Sequence, residues 1–409
     1  MADFEALVNK ACDAKEIPGC VVTATDREGA FKYAKAFGTT SPIPEKAKPM
    51  ELNSVMWIAS CTKLMTSLCA MQLVERGLVT LDEPVYKHIP ELESFPIIKK
   101  WTDAGEPIEA KHTKPITLRT LLTHTSGFAY EFTDPKAMAW SKYHNRMPGA
   151  SGKLLERFDC PLLFEPGDSW TYGPGIDYAG LLIERITKQR LQEYMKENLW
   201  GPLGISDMTF FLSERPDMAE RLVDMNERDA ESGNMKLCMW PKLWEDGKGK
   251  EITDCLGGQG VFMAADEYVK VLKAVLECDN GGDGNILSKA SVEELFRPQL
   301  GEESKKALAG VLKDPSLSNN LGGLAVGQPL DHGLGGILFM DDGPEKKAGT
   351  LAWGGYPNLS WWIDRKTGYA GIYANQILPL GDEKVCKTQQ LFSKTMYERL
   401  EKQRADAKL

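Results

Sequence analysis

The sequence predicts an α/β (α+β) protein. An antiparallel sheet, assembled from both chain ends, is flanked by helices and interrupted by a long, mostly helical insertion. Three observations carry this reading. Residues 21–26 and 30–34 are two β-prone segments joined by a turn containing Gly29, the pattern of a β-hairpin. Four further alternating apolar runs, at 335–340, 349–353, 359–364 and 369–374, follow one another near the carboxyl end with tight turns between them. Residues from about 80 to 250 are instead rich in Pro and loop residues, broken by helical stretches. The expected organisation is a discontinuous sheet domain, 1–80 plus 250–409, around an inserted helical domain, 81–249, with the active site between them.

The elements follow in order. Residues 3–15 place apolar side chains at helical spacing, and the hairpin comes next. After it, apolar residues recur at helical spacing from Ser60 to Arg76, and Gly77 supplies the stop. Helices are expected at 117–123 and 176–198. A Gly-rich turn then leads into an amphipathic helix at 266–276. The four carboxyl-terminal strands come next, and a helix at about 384–402 closes the order.

Composition narrows the function. With 42% hydrophobic residues in 409, the chain can bury a large core. Net charge is −9 with Lys and Arg scattered, which argues against a nucleic-acid surface. No apolar run reaches membrane-spanning length. The first residues carry acids and read as an amphipathic helix, not as a signal peptide. Nine cysteines, odd in number and without Cys-x-x-Cys, fit buried free thiols in a reducing cytoplasm. The final Ala-Lys-Leu is one substitution from a peroxisomal Ser-Lys-Leu address. No His/Cys/Asp cluster stands at metal spacing, and the Gly257-Gly258-Gln259-Gly260 run lacks the lysine of a phosphate loop, so no metal and no cofactor is expected.

The chemistry centres on Ser60-Cys61-Thr62-Lys63, the one place where a lysine follows a serine by three. Positions i and i+3 share a helix face, so hydroxyl and amine meet. A serine in the first turn also lies where the helix dipole is positive, which suits a developing alkoxide. None of the five histidines sits beside a Gly-x-Ser-x-Gly elbow, so a lysine-assisted serine is the nucleophile that remains. Such a serine commonly recruits a tyrosine as its second polar partner.

Four ordered blocks complete the pattern. They are Ile116-Thr117-Leu118-Arg119-Thr120-Leu121-Leu122-Thr123-His124-Thr125-Ser126-Gly127-Phe128, Phe164-Glu165-Pro166-Gly167 running on to Trp170-Thr171-Tyr172-Gly173, Gly257 to Gly260 with Asp266, and Trp353-Gly354-Gly355-Tyr356. With them the chain resembles the serine β-lactamase and penicillin-binding-protein superfamily over about residues 15–400. Within it the chain is most similar to the esterase and acyltransferase branch, and there to fungal lovastatin-type transesterases and polyketide-ester hydrolases.

The resemblance implies Ser60 as nucleophile, Lys63 as the base that takes its proton, and Tyr172 as the group that exchanges a proton with the leaving alcohol. The backbone N–H groups of Ser60 and Tyr356 are the implied oxyanion hole. Trp353, Gly354, Gly355, Tyr130 and Trp361 are implied substrate contacts, with Trp57 and Tyr356 as further pocket walls. Gly354 and Gly355 are expected to let substrate lie against their strand. His124 is expected to pin its loop by hydrogen bonds, and Gly257 and Gly258 to serve a tight turn.

Two departures set the substrate class. Gly173-Pro174 follows Tyr172 where the family has x-Asn, and Trp353 stands where lactamases carry lysine. Both disfavour an amide bearing a carboxylate and favour an apolar ester. The literal Lys366-Thr367-Gly368 reads as a hairpin turn, and Tyr143-His144-Asn145 lacks the Pro-Gly context. The expected partner is therefore a small-molecule ester or thioester, with an acyl carrier as one admissible donor, and neither nucleic acid nor membrane. A β-lactamase or D-alanyl carboxypeptidase, and a non-catalytic scaffold of the same fold, are the alternatives.

Overall fold

The computed structural model describes residues 4–239, 242–281, 286–321, 323–324, 327–343 and 346–407. The end of the chain that suggested a peroxisomal address, at 408–409, lies outside them.

A seven-stranded sheet forms the frame. Its strands are β1 (Gly19–Asp26), β2 (Lys32–Gly38), β3 (Leu330–Gly333), β4 (Gly336–Phe339), β5 (Leu351–Gly355), β6 (Leu359–Asp364) and β7 (Tyr369–Ala374). The spatial order is β3-β4-β5-β6-β7-β1-β2, antiparallel throughout. The β1–β7 ladder, Val21↔Ala374 to Asp26↔Tyr369, joins the two chain ends. β1 is buried along its whole length, as a strand covered on both faces must be. β2 is the edge, and its exposed Lys32 and Lys35 guard it against further pairing.

Five helices matter for the site and its frame. They are α1 (Phe4–Asp13), α2 (Thr62–Glu75), α3 (Gly175–Thr187), α4 (Ala265–Glu277) and α5 (Glu383–Asp406). α4 packs on β1 and β7. α1 and α5 close the sheet through an aromatic cluster: Phe4 meets Phe392 at 5.7 Å, and Phe392 meets Trp362 at 5.5 Å. α2 is buried along nearly its whole length, because it lies between the sheet and the helical layer and packs on α3. No helix among the described residues is long and apolar enough to cross a membrane.

The middle of the chain is stitched to its ends by short strands. Phe262–Ala264 pairs with Val55–Trp57 on one side and Met208–Thr209 on the other. Ile377–Leu378 pairs in parallel with Asn226–Arg228. One hydrophobic core runs through both layers.

Three expectations change. The hairpin's second arm runs from Lys32 to Gly38, because Asp26 Oδ1 accepts the Phe31 N–H and lengthens the turn. The helix read across 176–198 stops at Lys188, which adopts a left-handed backbone at φ 60°. A second helix, Leu191–Met195, restarts with Glu184 Oε1 accepting the Leu191 N–H at 2.7 Å. Ser60 lies not in an α-helical turn but in a 3-10 turn, Ala59–Cys61, immediately before α2.

An ion-pair network ties the 116–128 block to the edge of the fold. Arg119 forks onto Asp82 at 2.7 Å through both Nε and Nη2, and reaches Glu294 at 2.6 Å. Arg297 and Arg119 hold the Glu294 carboxyl at about 2, against an ordinary 4.5. A depressed carboxyl contributes stability above its unfolded pKa and loses it as pH falls through the folded one. Glu294→Gln therefore lowers the melting temperature at neutral pH, and the gap to the native chain narrows as pH drops below about 4.5. Paired thermal melts across that range check it.

Candidate active site

The turn carrying Ser60 is clamped from three sides. Ile58 N–H donates to Val261 O at 3.0 Å, and Thr62 Oγ1 accepts the Val261 N–H at 3.1 Å. Tyr268 of α4 donates its hydroxyl to Cys61 O at 2.6 Å. β5 lies so close that a Cβ at Gly355 would stand 2.5 Å from Ile58 O. Ala59 adopts φ 46°, a left-handed conformation uncommon for a residue with a side chain, and this turns the half-buried Ser60 into the cleft. Cys61, its neighbour, is fully buried, and burial pushes its thiol far up, away from a reactive thiolate.

Lys63 follows one turn later and is 1% exposed. Its Nζ donates to Gly258 O at 2.7 Å and to Tyr130 OH at 3.2 Å, and lies 3.3 Å from Ser60 Oγ. It also sits over the Tyr172 ring, 4.7 Å from the centroid. The Tyr172 hydroxyl makes a short hydrogen bond with Ser60 Oγ. Ser60, Lys63 and Tyr172, separated by up to 112 residues, thus meet at one oxygen.

Two backbone segments bring the tyrosines together. Tyr130 N–H donates to Tyr172 O at 3.1 Å, and a Cβ at Gly173 would stand 2.0 Å from Phe128 O, so only glycine allows this approach. The two rings meet edge-on, 5.1 Å apart. Tyr130 was expected as a pocket wall. It lines the cleft, and it also holds Lys63: its hydroxyl donates to Asp177 Oδ2 at 2.7 Å while accepting from Lys63. Asp177 Oδ1 accepts the Gly258 N–H at 2.9 Å.

Asp177 is fully buried in the first turn of α3, where the helix dipole favours a carboxylate. Burial holds its carboxyl above the ordinary carboxylate range, against the smaller opposing pulls of Lys63 and of the hydrogen bonds from Tyr130 and Gly258. Burial and Asp177 together push the Tyr130 phenol well above its usual range, so its proton stays in place to bridge. Gly258 is squeezed between these groups: a Cβ there would lie 2.3 Å from Asp177 Oδ2 and 2.9 Å from Tyr130 OH. The expected tight turn exists, with Leu256 O accepting from Gly260 N–H at 2.8 Å. Its larger use is to present Gly258 O to Lys63.

Tyr130→Phe keeps the ring and removes the bridge. Activity should fall by roughly ten- to a hundredfold, as in other enzymes whose catalytic groups are misplaced slightly. The buried Asp177 oxygen left unpaired should cost about 1–3 kcal/mol of stability. Steady-state kinetics and denaturant unfolding on the same preparation check both.

Ser60 opens into a cleft of about 420 Å³. Its lining includes Trp57, Tyr130, Tyr172, Trp353, Gly354 and Tyr356, with Tyr356 directly after the end of β5. The facing wall is Val311, Leu312, Leu317 and Leu321. Trp361 is a correction. It pairs with Trp353 across the β5–β6 ladder but is fully buried and does not line the cleft, because it sits one strand deeper in the core. Gly354 lines the cleft, and a Cβ there would stand 2.4 Å from Asn320 Nδ2, so the missing side chain makes room for the 315–320 segment. Gly355 likewise serves the Ser60 turn.

His124 pins its loop through its backbone carbonyl, which accepts from Thr171 N–H at 3.1 Å. Its ring packs edge-on against Tyr172 at 4.9 Å and stacks on Trp353 at 6.0 Å. Burial pushes its pKa well down, as it does for the adjacent His332, at about 4, so both act as uncharged packing groups behind Tyr172. The two motif look-alikes stand apart. Lys366-Thr367-Gly368 is the β6–β7 turn, with Asp364 Oδ1 accepting the Thr367 N–H at 3.0 Å, and Tyr143 is an exposed helix end.

Sequence reasoning missed Asp177, the role of Gly258, and the wall at 311–321. An Asp five residues after Tyr172, opening an apolar helix, was the available signal for the first. The wall carries none, since its residues read as an ordinary amphipathic segment.

The beta-lactamase family profile matches residues 4–392. The chain belongs to the beta-lactamase family. Within it, the chain is 35% identical to lovastatin esterase of Penicillium rubens, over 95% of this chain and 96% of that one. It is 34% identical to monacolin J acid methylbutanoyltransferase of Aspergillus terreus, over 94% and 92%. The unliganded simvastatin synthase LovD of Aspergillus terreus superposes with a TM-score of 0.84 at 32% identity, covering 97% of each chain. These beta-lactamase-family relatives are an esterase and acyltransferases, the branch that the motif blocks indicated.

Proposed function

We propose that this chain is a serine acyl-enzyme hydrolase and transesterase for apolar small-molecule esters and thioesters, statin-like polyketide esters among them. The observation that carries the reading is the meeting of Tyr172 OH and Lys63 Nζ at Ser60 Oγ. As a free amine, Lys63 uses two N–H bonds on Gly258 O and Tyr130 OH, and its lone pair is left for the Ser60 proton.

The reaction runs in two halves. Ser60 Oγ attacks the carbonyl as Lys63 takes its proton. The backbone N–H groups of Ser60 and Tyr356 hold the oxyanion, and losing one such donor costs roughly 3 kcal/mol in other enzymes. Tyr172 protonates the leaving alcohol or thiol. In the second half, water or an acceptor alcohol gives its proton to the Tyr172 phenolate and attacks the acyl carbon. Lys63 then returns its proton to Ser60 Oγ. Hydrolysis and transfer share every group, and the choice rests on how well the cleft holds an alcohol and excludes water.

Product analysis tests this directly. With p-nitrophenyl butyrate and a graded apolar alcohol, free acid should give way to the new ester as the alcohol rises, at constant p-nitrophenol release. Release unaffected by Ser60→Ala would remove the reading. The lactamase or carboxypeptidase alternative is disfavoured by Trp353, packed 5.4 Å from Tyr172 where a lysine would be needed. Turnover of a chromogenic cephalosporin at a rate comparable to the ester would reverse that ranking.

A further inference from the structure

The cleft walls carry charge of one sign only. Among the described lining residues the one charged side chain is Asp314, at the exposed mouth, where its carboxylate accepts from Ser316 N–H at 2.9 Å. No Lys or Arg is among the described residues that line the cleft. Beneath the cleft, Lys63 is buried, with its amine surrounded by Ser60, Tyr130 and Gly258 and with Asp177 behind Tyr130. The rest of the described lining is uncharged, with the aromatic side chains of Trp57, Tyr130, Phe132, Trp170, Trp353 and Tyr356 beside an aliphatic wall. Aromatic faces are negative and attract cations. A carboxylate entering this space would lose its water and meet no positively charged side chain among the described lining residues.

We propose that the cleft sorts its substrates by charge: it accepts esters and thioesters whose alcohol or thiol part is uncharged or cationic, and it rejects those whose leaving part is anionic. The proposal rests on the acyl-enzyme reading of Ser60. Asp314 contributes by repulsion, and the aromatic wall by failing to solvate the anion.

A matched series tests it. Three S-butyryl thioesters differ only in the departing thiol: thiocholine, cationic; 2-mercaptoethanol, neutral; and 3-mercaptopropionate, anionic. In each, the Ser60 Oγ–acyl bond forms as the C–S bond breaks, and the thiol leaves with the Tyr172 proton. Released thiol is read with a disulfide dye, and kcat/KM is divided by the rate of the uncatalysed hydroxide reaction. The anionic thioester should fall about tenfold or more below the neutral one, and the cationic one should match or exceed it. Asp314→Asn should raise the anionic-to-neutral ratio about threefold at low salt, and less at 1 M salt, where screening acts within about 3 Å. An anionic thioester turned over within twofold of the neutral one overturns the proposal. Binding of the same three compounds to Ser60→Ala, read by quenching of tryptophan fluorescence, gives the order independently of chemistry. Equal affinities overturn the charge inference. Absent turnover with the expected binding order overturns only the acyl-enzyme reading.

Discussion

Ser60→Ala and Lys63→Met should each reduce ester turnover on the order of 10⁶-fold, in line with removal of the nucleophile or base from other serine hydrolases. The two losses should not add, because each variant lacks the same step. Ser60→Ala should stay folded, since its side chain is half-buried and its bonds go only to Lys63 and Tyr172. Lys63→Met keeps the side-chain volume in the α2 core but leaves Gly258 O and Tyr130 OH without the amine, so a lower melting temperature should accompany the lost rate. Rates for both single variants and the double variant, with circular dichroism as the folding control, decide the matter. A Lys63→Met enzyme within tenfold of the native rate would remove lysine from the proton path.

Gly258→Ala should cost on the order of a hundredfold in kcat, although it adds only one methyl group and removes no functional side chain. The methyl would overlap Asp177 Oδ2, at 2.3 Å, and press on Tyr130 OH. Neither can retreat easily, because both are buried and hydrogen-bonded to each other. The turn itself must shift, and Gly258 O moves with it away from Lys63. The same physics makes Gly257→Ala milder, since its nearest neighbours lie at 3.0 Å and 3.1 Å. Comparing kcat for the two variants separates damage to the lysine cradle from general damage to the turn. Equal losses would contradict the cradle.

Much of this arrangement is legible in the chain. β6 and β7 match the alternating runs residue for residue, because both are bounded by turn residues and each has a face to bury. Ser60 and Lys63 are legible because a helical repeat is a local property. Tyr172 is legible through the Pro166-Gly167 turn that precedes it. The support beneath Lys63 is not, because Tyr130, Asp177 and Gly258 come from three separate segments and converge only through backbone contacts such as Gly173 on Phe128. The break at Lys188 is hidden too. Lysine is a good helix former, and what ends α3 is a left-handed residue followed by Glu184 capping the next helix. The two- and three-residue strands that stitch the layers, Met208–Thr209 and Asn226–Arg228, are too short to show a period.

The most direct measurement is an acid quench during steady turnover of p-nitrophenyl butyrate, followed by intact mass and peptide mapping. A butyryl group on Ser60, present in the native chain and absent from Ser60→Ala, is the expected result. Turnover with no acyl group on Ser60, or with the group on another side chain, would contradict the account.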